Sequence, residues 1–236
     1  MRSVLALLQF CTSLPLGRPV AFEHFARRSY LYPLAGYVIG GIAAGIVYWI
    51  GSAAVGAAVA LALVLLLSGC NHFDGLLDFG DGLMAHGSRE RRVAAMTDRA
   101  TGAGAVAAGI VVTLVAFAAL QDAACLPAAI LTAEVLAKVA MSYLTTLGVP
   151  FREGIHSYFH GFVRPWFLIP TTLLALPLFL LPMPAVSVAL ALVATAGIAA
   201  VMLLLARRLF GGVNGDVVGA TNEITRAGIL LLFALL

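Results

Sequence analysis

Apolar residues in this chain come in long blocks, not in the alternating pattern of a half-buried strand or the single stripe of a surface helix. Runs at 34–50, 52–68, 103–120, 125–147, 165–181 and 185–206 are apolar almost throughout. Each approaches the about 17–25 residues that carry a helix across a hydrocarbon core of about 30 Å. A seventh run, 227–236, is only ten residues long. It predicts a short or half-inserted helix, or part of a longer tail. The pattern predicts an all-α fold: a polytopic membrane bundle of about six to seven transmembrane helices forming a single embedded domain over 1–236. Residues 1–33 open with Met1-Arg2 and Leu5-Ala6-Leu7-Leu8, but Pro15, Gly17, Arg18 and Pro19 interrupt the run without an Ala-x-Ala site. This segment reads as interfacial or re-entrant, not as a cleaved signal.

Composition strengthens the membrane reading. The chain is 62% hydrophobic and 11% charged, well outside the usage of soluble domains. Cys11, Cys70 and Cys125 lack metal-ligand spacing and read as buried small hydrophobes. No basic groove interleaved with aromatics exists, which argues against nucleic acid as a partner.

Charge then supplies the topology. If the runs alternate across a bilayer, Lys138 is the only one of the fourteen Lys and Arg that falls away from one face. An excess of Lys and Arg marks the cytoplasmic side, so the polar segments 69–102, 148–164 and 207–226 are predicted to lie at the cytoplasmic face of a cell membrane. Nine of the eleven acids accompany them. Chemistry gathered on one face suggests an interfacial enzyme over a conduit, which needs polar groups on both approaches or near the midplane. Glu134 and Lys138, four apart inside the fourth run, have the order and spacing of an intrahelical ion pair. They read either as a neutral couple in the bundle interior or as part of a substrate cavity wall.

The densest chemistry is Asn71-His72-Phe73-Asp74-Gly75-Leu76-Leu77-Asp78-Phe79-Gly80-Asp81-Gly82. Spacings of four and three place Asp74, Asp78 and Asp81 on one stripe of a helix, with Asn71 a turn earlier. Two unit charges about 4 Å apart repel by about 4 kcal/mol at an effective dielectric of about 20, so a cation is expected among them. Oxygen donors without paired thiolates favour Mg²⁺, with Mn²⁺ as the second choice. His72 reads as a substrate contact or a group behind the ligands. Two glycine-bearing segments, 97–104 and 211–226, read as helix starts whose free N–H groups suit phosphate. Asp216 and Glu223, seven apart on one helical face, offer further metal ligands. Asp98, Arg99 and Arg152 are candidates for phosphate contact, whereas Arg89-Glu90-Arg91-Arg92 reads as ordinary juxtamembrane charge. His156 and His160 imitate a metal pair but lack a third ligand. Carboxylates, a divalent ion and arginines at a membrane face point to phosphoryl or phosphodiester transfer.

These residues carry a resemblance. Leu8-Gln9-Phe10 with Leu14-Pro15, His72-Phe73-Asp74-Gly75-Leu76-Leu77-Asp78 with Asp81-Gly82, Arg89-Glu90-Arg91-Arg92 with Met96-x-Asp98, and Gly215-Asp216-Val217-Val218-Gly219-Ala220-Thr221-Asn222-Glu223 stand in order along the chain. The sequence resembles the cobalamin synthase family, the adenosylcobinamide-GDP ribazoletransferases. The resemblance implies Mg²⁺-dependent joining of adenosylcobinamide-GDP to α-ribazole or its 5′-phosphate, giving adenosylcobalamin or its 5′-phosphate and GMP. It implies catalytic roles for Asp74, Asp78, Asp81, Asp216 and Glu223, with Asp74, Asp78, Asp81 and Asp216 as metal ligands. Asn71, His72, Asp98, Arg99, Arg152, Asn222 and Arg226 would contact substrate. Two alternatives stay open: a CDP-alcohol phosphotransferase, and a cation transporter using the aspartates as an ion site. Spacing leaves a homo-oligomer open.

Overall fold

The computed structural model describes all 236 residues. It is helical throughout, with one isolated bridge between Pro150 and Val213. The helices are α1 (Arg2–Cys11), α2 (Glu23–Ala26), α3 (Tyr32–Val47), α4 (Ala53–Leu67), α5 (Asn71–Met84), α6 (Arg89–Met96), α7 (Ala103–Gln121), α8 (Leu126–Leu147), α9 (Ile155–His160), α10 (Leu168–Leu173), α11 (Ala185–Leu209) and α12 (Gly215–Leu235). Five helices are long and apolar enough to cross a membrane, or six if the bent pair α4–α5 counts as one. The all-α polytopic reading therefore holds.

Three boundaries differ from the expectation. The run 227–236 is the far half of a 21-residue helix that starts at Gly215, because Asn214 caps it by accepting from the Val217 N–H at 3.0 Å. The run 165–181 is not one helix. It breaks into the 3₁₀ turns Pro165–Phe167 and Leu176–Leu180 around six-residue α10, since Pro170 and Pro177 each lack the N–H that an α-helix interior requires. The run 52–68 yields only the fifteen residues of α4.

α4 ends where the chemistry begins. Gly69 and Cys70 both take left-handed conformations, with φ of 62° and 57°, and their N–H groups return to Leu66 O at 3.0 Å and Leu65 O at 2.9 Å. This pair of crossed bonds terminates a helix, and α5 leaves at 93° to α4. Ser13 reaches over from the N-terminal segment, its N–H and hydroxyl donating to Leu67 O and Leu66 O at 2.7 Å each. Cys70 is exposed at this corner, so it is not the buried hydrophobe its neighbours suggested.

α8 is the axis of the bundle and is buried along most of its length. α3 presses on it through Gly36 and Gly40, where an added Cβ would stand 2.7 Å from Glu134 O and 3.0 Å from Leu131 Cα. Small residues four apart let helix backbones meet in this way.

Candidate active site

α5 carries the aspartates, and its position rests on two glycine crossings. At Gly75 an added Cβ would lie 2.9 Å from Asp216 O and 3.3 Å from Gly219 Cα, so α5 and α12 touch backbone to backbone. At Gly80 it would lie 2.7 Å from Gly104 O, which seats α5 on α7. The first crossing delivers Asp216 beside Asp74 and Asp78. Gly75→Ala is therefore expected to push α12 away and lower kcat/KM by about 10–100-fold. Gly41→Ala, on an α3 face with nothing within 4 Å, is the control that leaves kinetics unchanged.

Asp74, Asp78 and Asp216 line a cavity of about 400 Å³ together with Asp98, Arg99 and Arg152. The loop after α8 brings Arg152 in. Val213 N–H donates to Val149 O at 2.8 Å, tying that loop to the approach to α12. Asn214, while capping α12, also donates to Asp216 Oδ2 at 2.6 Å and fixes that carboxylate. Burial pushes the Asp78 carboxyl up to about 6, reinforced by the charges of Asp216, Asp74 and Asp81. That is the electrostatic mark of anions gathered at one spot.

Other candidate residues stand elsewhere. Asp81 points at the start of α7, where its oxygens accept from Gly102 N–H at 2.7 Å and Ala105 N–H at 2.8 Å. The N–H groups read from sequence as a phosphate cradle are thus taken by this carboxylate. An added Cβ at Gly102 would come 2.5 Å from Asp81 Oδ1, which accounts for the glycine. Arg92, read as headgroup charge, donates to Leu83 O at 2.8 Å and closes the C-terminal end of α5.

Asn222, Glu223 and Arg226 lie two to three turns into α12, buried in the bundle, so the placement of Glu223 and Arg226 on the polar face is corrected. They close a ring with the α8 pair. Lys138 Nζ donates to Glu134 at 3.3 Å and to Asn222 Oδ1 at 2.7 Å. Asn222 donates to Glu223 at 3.0 Å. Arg226 joins Glu223 to Glu134, the latter at 2.8 Å. Two acids, two bases and an amide leave the ring neutral. Glu134 and Lys138 are therefore the interior couple, and neither lines the acidic cavity. Depth explains the misplacement: the helix begins twelve residues before the apolar run, and a rise of about 1.5 Å per residue carries Glu223 about 10 Å beyond Asp216.

Asn71 and His72 line a second cavity behind the α5–α12 crossing, with Tyr32, Thr145 and His156. His160 is exposed, so the two histidines form no metal pair. Tyr32, Thr145 and Asn214 escaped sequence reading. Only Asn214 left a signal, an Asn two places before an acid at a helix start.

The donor chemistry of Asp74, Asp78 and Asp216 suits a hard cation, all oxygen and mutually repelling. As placed, no three acidic, histidine or cysteine side chains converge tightly enough to enclose an ion.

Fold and cavity define the class, a polytopic membrane enzyme with its polar chemistry gathered at one end of the bundle. The chain belongs to the cobalamin-5-phosphate synthase family, whose model it matches over residues 3–234. It is 34% identical over 247 residues to the adenosylcobinamide-GDP ribazoletransferase of Methanocella arvoryzae, across 95% of this chain and 92% of that one. The protein of the same description from Halorubrum lacusprofundi is 36% identical over 94% of this chain and 93% of its own. For that of Archaeoglobus fulgidus the figures are 35%, 98% and 96%. No solved structure matches the chain.

Proposed function

We propose that this chain joins adenosylcobinamide-GDP to α-ribazole, or to its 5′-phosphate, releasing GMP. The observation that supports the reading best is the convergence of Asp74, Asp78 and Asp216 with Arg99 and Arg152 in one cavity. Arg99 and Arg152 hold the diphosphate through charge-assisted hydrogen bonds. Asp74, Asp78 and Asp216 are the carboxylates that would hold Mg²⁺ or Mn²⁺, drawn closer together than they stand here. Such an ion would supply neutralisation of the charge on the diphosphate and on the departing phosphate. A ribose hydroxyl attacks the phosphorus attached to cobinamide. The new O–P bond forms as the P–O bond to GMP breaks, and the hydroxyl proton passes to a carboxylate of the cavity. Asp81 positions this machinery by locking α5 to α7. The site faces the cytoplasm of a cell membrane, in keeping with the arginines that crowd that end.

The test is release of GMP by the purified chain in detergent, given both substrates with Mg²⁺ and then with chelator. GMP formation that needs the metal and α-ribazole, with cobalamin appearing, is the expected result. Release of CMP from a CDP-alcohol in place of GMP overturns the reading. Acidity adds a second readout. At limiting Mg²⁺ activity falls as pH drops through about 6, where Asp78 takes up a proton, and saturating Mg²⁺ moves the fall to lower pH because a bound cation favours the ionised form. Because the folded-state value of Asp78, about 6, lies above its ordinary 3.8, the folded chelated protein takes up this proton first, and its contribution to stability rises as pH falls from about 6 toward 3.8.

A further inference from the structure

The second cavity, about 390 Å³, is not used by the chemistry above. Its size falls within the about 300–1,000 Å³ of small-molecule sites, and it shares Asp216 with the acidic cavity. Three of its buried polar atoms, His72 Nδ1, Thr145 Oγ1 and His156 Nδ1, have no hydrogen-bond partner. The residues are only 6%, 1% and 3% exposed. Leaving such a group unpaired costs about 1–3 kcal/mol, so three around one void point to a ligand that pairs with them. His156 is already anchored on its other nitrogen, which lies 3.0 Å from Gly148 O. Its ring is therefore held in place with one nitrogen to spare. One wall of the site is aromatic: Phe10, Tyr32 and Phe159 line it and pack on one another, the Phe159 ring centroid 6.0 Å from those of both Phe10 and Tyr32.

Resting on the function proposed above, we infer that this cavity binds the acceptor nucleoside, with its base against the aromatic wall of Phe10, Tyr32 and Phe159 and its ribose directed at Asp216. Aromatic faces favour a flat heteroaromatic base. Two features select the acceptor over the guanosine of the donor. A benzimidazole joined to ribose has a single free ring nitrogen and an apolar edge, which a mostly apolar cavity with a few hydrogen-bonding side chains satisfies. Guanine presents several donors and acceptors on one edge and would leave most of them unpaired. The shared Asp216 also gives the geometry a purpose. A nucleoside seated behind the α5–α12 crossing brings a ribose hydroxyl to the edge of the cavity that holds the diphosphate, so the two substrates enter from opposite sides of one carboxylate.

The experiment is binding of α-ribazole to the full chain in detergent, followed through the fluorescence of its benzimidazole, beside steady-state kinetics. Thr145→Val, which keeps shape and loses the hydroxyl, is expected to weaken α-ribazole binding and raise its KM about tenfold. The KM for adenosylcobinamide-GDP stays within twofold, and Thr145→Ser restores binding. His156→Phe behaves as Thr145→Val does. Asp78→Asn, in the other cavity, keeps α-ribazole binding. An unchanged α-ribazole affinity in folded Thr145→Val and His156→Phe overturns the inference. So does a rise confined to the KM of adenosylcobinamide-GDP, or displacement of α-ribazole by GDP, either of which assigns the cavity to guanine. If the unaltered chain makes no GMP, the proposed reaction fails, yet the binding measurements still judge the cavity.

Discussion

Asp78→Asn lowers kcat by about three orders of magnitude or more and leaves the helical protein folded, and Asp74→Asn does the same. The magnitude follows from what the carboxylates are proposed to do. A metal-held diphosphate gains several kcal/mol of charge stabilisation, and each 1.36 kcal/mol is a factor of ten in rate. Neither aspartate belongs to the ion pairs of the molecule, so removing its charge relieves repulsion without orphaning a cation. Circular dichroism and the thermal midpoint in detergent are therefore expected to hold or rise while GMP release disappears. Asp81→Asn separates position from chemistry. Its carboxylate bonds the start of α7, and loss of such a cap costs about 0.5–2 kcal/mol, so its signature is a lower thermal midpoint with a smaller loss of rate. Full turnover in a folded Asp78→Asn protein would sink the assignment of the cavity.

Glu223→Gln is the variant with the largest expected cost in stability. Glu223 is 3% exposed and Arg226 likewise, and the two are paired inside the bundle. The amide fills the same space, but the ring of Glu134, Lys138, Asn222, Glu223 and Arg226 then carries an uncompensated positive charge. Breaking a buried pair by removing one partner costs about 3–5 kcal/mol. A large fall in thermal midpoint is expected, measured in detergent by loss of α-helical signal. Adding Lys138→Met to Glu223→Gln restores neutrality and is expected to recover a substantial part of that loss, a non-additivity that a double-mutant cycle reads directly. A Glu223→Gln protein with an unchanged midpoint and abolished turnover would return Glu223 to the catalytic role that the family resemblance implied.

The apolar blocks and the helix that carries Asp74 and Asp78 were legible because each depends on local spacing. A long apolar run has few options other than a helix in lipid, and carboxylates four apart share a helical face wherever that helix sits. Boundaries were less legible. Asn214 starts α12 well before its apolar half, because a cap outweighs hydropathy at a helix end, and the proline-rich run at 165–181 lost its regular helix to missing N–H donors.

The sequence by itself determined that the chain forms several helices long and apolar enough to cross a membrane, and which acids can act together on one helix. Only the tertiary structure decided which of those acids meet. Asp216 joins Asp74 and Asp78 because Gly75 lets two backbones touch. Asp81 departs because α7 starts within its reach, and Glu223 departs because it lies deep enough to face Arg226 and the α8 pair. The physical reason is range. Helical periodicity places side chains within a few turns, whereas contacts between helices depend on where small residues permit close approach, and on burial that forces every interior charge to find a partner.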